Sequence, residues 1–308
     1  MEILDEIFVL KCIMAKLLCK GAFGGASSLQ SFMLKKLLLP LANIPFTKRC
    51  SSNCIRSEVS NGVFRIEINN DKRKNALTWK MFEEIGNAFK EANQNPNVKI
   101  TTFTGAGDYF TSGLDLANFA GVPSMSEEER VAFADENHLL IRYLFDAAID
   151  HEKPLFVLAN GPGIGLGTVI LGLCDVAYAT QRAFFLTPFV TIGLNPAGCS
   201  SLVFPQLLGN SRANRLMMLG ERISAHEAKE FGLLTDVFED EMFEKKCEEK
   251  IDHVLTKLNI EGMMKVKALS FDEKRKLLKE RNRIECEMFR DSFLSEQFKH
   301  KIAKMFKK

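Results

Sequence analysis

The chain is 308 residues long, 46% hydrophobic and 26% charged, proportions of a globular protein with one large domain or two small ones. Its 41 basic and 39 acidic residues leave a net charge of +2, which provides no basic face for nucleic acid, and no apolar run reaches the length of a membrane span. Eight cysteines without a Cys-x-x-Cys pair and five dispersed histidines give neither a disulfide framework nor a metal site, and they fit a reducing compartment.

In chain order, the first distinct stretch is basic. Between Lys11 and Arg56 there is no Asp or Glu, and Lys, Arg, Ser and Leu dominate. That is the composition of an organelle-targeting segment, so residues 1–57 are expected to be such a segment, the alternative being a peripheral or disordered arm. The run from Met33 to Leu39 fits targeting best, whereas Glu2, Asp5 and Glu6 do not. The final Met305-Phe306-Lys307-Lys308 does not match a peroxisomal tail. Order is expected from about Glu58.

Phe64, Ile66 and Ile68 alternate with Arg65 and Glu67, the period of a strand. Thr78 can cap a helix that presents Phe82, Ile85 and Phe89 and is stopped by Asn95-Pro96-Asn97. Residues 121–130 read as a surface loop, followed by a helix from Val131 to Ile149. Leu155–Ala159, Asp175–Thr180 and Ala183–Thr187 read as strands, and Pro188–Gly198 as a long loop. A helix runs through Leu202, Phe204 and Leu207. Ser224-Ala225-His226-Glu227 is a capping box whose helix Gly232 closes. From Glu241 onward the chain is helical and charged, with Phe289, Phe293, Leu294 and Phe298 on an apolar face. Strands alternating with helices predict an α/β fold with a helical C-terminal region.

Two segments share one plan: a β-branched strand, a glycine turn, then an apolar helix. The first, Val98–Leu116, passes through Thr104-Gly105-Ala106-Gly107 and Ser112-Gly113-Leu114-Asp115. The second, Pro154–Asp175, passes through Asn160-Gly161-Pro162-Gly163-Ile164-Gly165-Leu166-Gly167. Each turn offers free backbone N–H groups at a helix start. Side by side, two such turns would hold a developing negative charge between two donors. Each turn alone is more commonly a tight structural connection between strand and helix.

Several motifs in one order carry a family resemblance: Lys74-Asn75-Ala76-Leu77, Thr104-Gly105-x-Gly107-Asp108-Tyr109-Phe110-x-Ser112-Gly113-x-Asp115-Leu116, Asn160-Gly161-Pro162, Asp175-x-x-Tyr178-Ala179, and Pro196-x-Gly198-Cys199-Ser200-Ser201. With these the chain resembles the crotonase superfamily of enoyl-CoA hydratases and isomerases. Thr187-Pro188-Phe189, Glu285-Cys286 and Phe293-Leu294-Ser295 are most similar to the branch of delta isomerases that moves a double bond from position three to two. The resemblance implies a spiral of strand–strand–helix repeats over residues 58–258, with 259–308 as a C-terminal helical extension of the same domain. It implies a homotrimer, or a mixed trimer with a paralogue, and a mitochondrial location with a peroxisomal alternative. Its ligand is an acyl-CoA thioester in fatty-acid β-oxidation. Coenzyme A is then part of the substrate, and no cofactor or metal is expected.

Mapped by the resemblance, the oxyanion donors are the N–H groups of Leu114 and Leu166. Substrate contacts fall at Lys74, Ala76, Thr111, Ser112, Gly113, Leu114, Asp115, Leu166 and Phe189. Asp115 is expected to cap the following helix rather than transfer protons. Lys72, Arg73 and Lys74 lie where the family's loop passes the CoA moiety, or form a solvated turn. The family places its acids at positions that here are Val169, Phe189 and Ala197. A sequence with no acid at any of them leaves two readings open. One is an isomerase-like enzyme with a substitute acid, for which Asp135, Glu136 and His138 are candidates although surface positions suit them better. The other is a pseudoenzyme kept as an acyl-CoA-binding or oligomer-forming module.

Overall fold

The computed structural model describes residues 54–306; the expected targeting segment lies outside the described residues apart from its last four positions. Among the described residues the first element is a hairpin, β1 (Ile55–Ser60) and β2 (Val63–Ile68), paired antiparallel from Ile55↔Ile68 to Ser60↔Val63. Its two-residue turn is Asn61-Gly62, with φ of 51° and 83°. These are the residues that a turn with two positive φ angles demands. Strand β1 therefore starts before the boundary expected at residue 57.

β2 continues into a mostly parallel sheet with β3 (Ile100–Gly105), β4 (Leu155–Ala159), β6 (Val176–Thr180) and β9 (Asp236–Phe238), in the order β1-β2-β3-β4-β6-β9. A second, small sheet joins β5 (Gly163–Ile164), β7 (Phe184–Leu186) and β8 (Ile223–Ser224). One face of the large sheet buries Phe64, Ile66, Ile68 and Phe103 in the main core. Helix α1 (Trp79–Gln94) turns Phe82, Ile85 and Phe89 into that core, as its spacing predicts. Thr78 occupies the N-cap position of α1, but its side chain makes no capping hydrogen bond.

Helix α2 (Glu127–Ile149) starts four residues earlier than expected, because Ser126 and Glu129 form a capping box. Gly86 of α1 packs so near Tyr143 of α2 that a Cβ there would stand 2.7 Å from the ring. The second glycine turn leads into the buried α3 (Leu166–Val169). By contrast, the first leads only into a 3-10 turn, Leu116–Phe119, and not into a full helix. The expected loop at 188–198 holds one helical turn, α4 (Phe189–Ile192). Next come α5 (Ser200–Leu208), α6 (Asn210–Met217) and α7 (Ala225–Glu230), the last with the predicted capping box.

The C-terminal region is helical: α8 (Phe243–Lys257), α9 (Ile260–Leu294) and α10 (Glu296–Phe306). Phe243, Cys247 and Val254 of α8 cover Ile100, Phe156, Leu158 and Tyr178 on the other face of the large sheet. Helix α9 is held to the core by polar contacts: the Lys267 ammonium meets Asp175 at 2.7 Å, Arg275 donates to the Ile149 carbonyl, and Asn282 donates to the Arg142 carbonyl. The result is the expected α/β architecture with a helical C-terminal region. Among the described residues no helix is long and apolar enough to cross a membrane.

Candidate functional site

The two glycine turns meet. Thr111 N–H donates to the Pro162 carbonyl at 3.2 Å, and Ile164 N–H donates to the Thr111 carbonyl at 2.8 Å. These bonds form a parallel bridge that pairs Thr111 with Gly163. Leu114 and Leu166 each lie three residues beyond this bridge, and Gly113 and Gly165, the residues before them, stand in contact. Close approach requires glycine at 113: its φ is +79°, and a Cβ would lie 2.7 Å from the Ile164 carbonyl oxygen.

The bonds on either side of Leu114 face the other way. Leu77 N–H donates to the Gly113 carbonyl at 2.8 Å, and Asp115 N–H to the Leu77 carbonyl at 2.9 Å. The N–H of Leu114 itself has no bonding partner among the described residues. Leu166 is the first residue of α3, so its N–H is one of the donors that a helix start leaves free. Leu166 is buried and Leu114 half-buried. Two backbone donors thus stand on neighbouring turns in largely apolar surroundings.

A third loop completes the donor side. Lys74 and Asn75 both adopt left-handed backbone, with φ of 54° and 55°. The Lys74 carbonyl accepts from Ser112 N–H, and the Asn75 carbonyl accepts from the Thr111 hydroxyl. The buried Asn75 amide donates to the carbonyls of Ala106 and Tyr109. Lys74, Ala76, Thr111, Ser112, Gly113, Leu114 and Asp115 are therefore gathered in one place, beside Leu166. Lys74 is exposed and passes its ammonium over the Tyr109 ring. Asp115 caps the 3-10 turn by accepting from Ala117 N–H, and it pairs with Arg73 at 2.9 Å.

The acid side is different. Val169, Phe189 and Ala197 are all buried. The chain at Ala197-Gly198 lies against Val169 and Phe145: a Cβ on Gly198 would stand 2.4 Å from the one and 2.5 Å from the other. Val169 and Phe145 make one wall there apolar, while the Ser200 hydroxyl donates to the Ala197 carbonyl at 2.8 Å. Among the described residues, the buried carboxyls are those of Asp115 and Glu285. Asp115 is committed to its cap and to Arg73. Asp135 is bound to Arg290, Glu136 is exposed, and the half-buried His138 ring contacts the Ala134 carbonyl.

Glu285 escaped the sequence reading as a structural residue. From α9 its carboxylate accepts from Cys199 N–H at 2.7 Å, Ser201 N–H at 3.0 Å and the Ser201 hydroxyl at 2.5 Å. Cys199 has no side-chain cap of its own, so Glu285 supplies the acceptor at the start of α5. Burial pushes this carboxyl above its ordinary value, against the pull of the Ser201 hydrogen bonds. The signal in the sequence was its helical spacing with Leu278, Asn282, Phe289 and Phe293, which places Glu285 on the buried face. A cavity of about 650 Å³ lies on the other face of the large sheet, where Thr102, Leu158, Thr180 and Phe243 line it. Gly105, Gly107 and Asn160 of the two turns border it, whereas Leu114 and Leu166 do not.

Residues 58–308 match the family model for enoyl-CoA hydratase/isomerase. The chain is 36% identical to human enoyl-CoA delta isomerase 2 over 77% of its own length and 59% of that protein's. It is 36% identical to the mouse peroxisomal enoyl-CoA delta isomerase 3 over 59% of its own length and 56% of the other's. The chain thus spans under two thirds of the length of these relatives. A crystal structure of an enoyl-CoA hydratase/isomerase from Pseudoalteromonas atlantica superposes with a TM-score of 0.72 at 29% identity, covering 82% of this chain and 96% of that one. The α/β fold, the order of the motifs and these likenesses agree: the chain belongs to the enoyl-CoA hydratase/isomerase, or crotonase, family.

Proposed function

We propose that this chain is an enoyl-CoA delta isomerase-like protein that binds acyl-CoA thioesters, with the thioester oxygen held between the N–H groups of Leu114 and Leu166. The observation that carries this reading is the pairing of the two turns at one offset, which brings two backbone donors together at a glycine contact. Donors of this kind stabilise the enolate oxygen as a proton leaves the carbon next to the thioester, and removing one typically costs about 10²–10³ in rate. Lys72 and Lys74 flank the site on the exposed side, where the CoA phosphates would pass. Coenzyme A enters as part of the substrate, without a separate cofactor. Trimer formation and an organelle location, mitochondrial or peroxisomal, belong to the same proposal.

Moving a double bond from position three to two also needs a base that takes one proton and returns it elsewhere. Ala197 has no exchangeable proton. A second reading, an acyl-CoA-binding or oligomer-forming module without turnover, is favoured by one observation: both buried carboxyls are committed to hydrogen bonds at helix starts. The test has two parts. Calorimetry with an acyl-CoA measures binding, and absence of binding overturns both readings. A 3-enoyl-CoA assay then compares the wild type with Ala197→Glu. Rapid wild-type turnover would establish the enzyme and reject the module; binding without turnover, restored by Ala197→Glu, would establish the module.

A further inference from the structure

The second donor turn begins at Asn160, and the side chain of that residue is bonded entirely to the first turn. Its Oδ1 accepts from Gly105 N–H at 3.1 Å, with the Thr104 hydroxyl 3.4 Å away and donating to the Leu158 carbonyl at 2.8 Å. Its Nδ2 donates to the Gly107 carbonyl at 2.7 Å and reaches the Tyr109 carbonyl at 3.5 Å. The orientation of the amide follows from these partners, since a backbone N–H can only donate and a carbonyl can only accept. Only a short planar group with one acceptor end and one donor end satisfies both. Immediately after it, a Cβ on Gly161 would fall 1.9 Å from the Asp108 carbonyl oxygen, so the two turns touch without room for a side chain. On the outside, Arg182 donates to the Asn160 carbonyl and pairs with Asp108, joining the same two turns in a more exposed setting.

We infer that Asn160 is a positioning residue: its amide fixes the first turn against the second and so sets the separation and aim of the Leu114 and Leu166 N–H groups. It does not touch the reacting atoms. The first turn leaves the Asn160 clamp at Tyr109, crosses the Thr111–Gly163 bridge and reaches Leu114; the second runs from Asn160 itself through Pro162 and Gly165 to Leu166. A shift at the clamp is therefore carried to both donors. The neighbouring Asn75 amide holds the same turn from the other side, at Ala106 and Tyr109, but makes no bond to the second turn among the described residues. Asn160 is thus the amide that relates one donor to the other.

This inference rests on the acyl-CoA reading and is tested on a ratio specific to it. Affinity is measured for an acyl-CoA thioester and for the matching thioether, which lacks the carbonyl oxygen. The wild type should prefer the thioester; if it does not, the proposed function itself fails. In Asn160→Asp the acceptor contacts survive, while a second oxygen faces the Gly107 and Tyr109 carbonyls. The thioester preference should fall by about tenfold, the scale of one lost hydrogen bond, with thioether affinity little changed. A merely structural Asn160 would lower the melting temperature and leave the ratio intact, and that result in a folded variant would overturn the inference. Asn160→Ser, whose hydroxyl is too short to span both ends, is read in the same way if the Asp variant does not fold. If neither folds, Asn160 is a folding residue and the positioning role is rejected.

Discussion

The donor side and the acid side of this site are built from different materials. The donor side is backbone. Its geometry comes from glycines that let two turns touch, and from the amides of Asn75 and Asn160 that satisfy backbone groups on those turns. Bonds of the same amides also tie β3, the second glycine turn and the loop at 70–77 together, so the donor geometry is built into the fold. The acid side depends on one buried side chain at position 197, next to Gly198, which lies against Val169 and Phe145. Alanine there spares the burial of a charge, which is unfavourable unless the charge is paired. Half a site made of backbone is therefore preserved by folding itself, while half a site made of one buried carboxylate can be lost with a gain in stability.

The largest effect should come from restoring the acid. Ala197→Glu should raise turnover of a 3-enoyl-CoA by about 10²–10⁴, the usual worth of a positioned general acid–base group. Burial should lift the new carboxyl above the ordinary ~4.3 of a glutamate. A raised carboxyl pKa makes the folded state hold its proton more tightly than the unfolded state. The variant should thus match the wild type best at low pH and lose stability as pH rises through the raised value. Parallel measurements of rate and of urea unfolding across pH check this, and a variant that is both inactive and as stable as the wild type would break the comparison.

The next effect tests how closely the donor turns must approach. Gly113 and Gly209 share a positive φ, +79° and +77°, yet a Cβ meets the Ile164 oxygen at 2.7 Å in the first case and nothing within 4 Å in the second. Gly209→Ala should cost about 1–3 kcal/mol for its backbone conformation alone, since φ of 77° with ψ of 155° is essentially restricted to glycine. Gly113→Ala should cost about 2–4 kcal/mol, because the turns must also separate, and should abolish the thioester preference. Equal losses in urea unfolding would mean that the turns are not held in contact.

Much of the fold was legible because its periods were clean. Strand β4 and the buried face of α1 follow from apolar spacing, and the α7 start from its capping box. Strand β1 was not, since Arg56, Ser57, Glu58, Val59 and Ser60 are all exposed and show no alternation; the Asn61-Gly62 turn was the available signal. The charged run Glu127–Arg130 disguised the first turn of α2 as a loop, although Ser126 and Glu129 stood three apart. Strands β5, β8 and β9 are two or three residues long, too short for any period to show. The donor residues came from family resemblance, and that their turns meet is a tertiary fact. Glu285 had the right helical spacing for a buried face, but its partners lie across the fold at 199 and 201.

Glu285→Gln should have an intermediate effect, on the frame of the acid side. The amide can replace only one acceptor oxygen, so its NH₂ must face Cys199 N–H or the Ser201 donors, at a cost of about 1–3 kcal/mol. The pH dependence distinguishes this cap from a surface carboxylate. Burial raises the Glu285 pKa above its ordinary 4.5, so its contribution is complete below 4.5 and diminishes as pH climbs through the raised value. That decline should be missing in Glu285→Gln, and its persistence would assign the slope to another group.

The smallest effect should come from Asp115, the acidic side chain nearest the donors in sequence. Its partners define it as a cap: one oxygen accepts from Ala117 N–H and from Arg73, each at 2.9 Å. The Arg73 side chain is 56% exposed, so water screens that pair and its worth is at most ~0.5–1 kcal/mol. Asparagine retains an oxygen for Ala117 N–H and loses only the ion pair, so Asp115→Asn should cost less than ~1 kcal/mol, whereas Asp115→Ala should cost about 1–2 kcal/mol more through loss of the cap. A proton shuttle predicts another order: Asn and Ala would be equally damaging to turnover, by about 10²–10⁴, because neither exchanges a proton. Measured in the Ala197→Glu background, where turnover is large enough to lose, the two substitutions separate a residue that shapes the donor turn from one that supplies the missing acid.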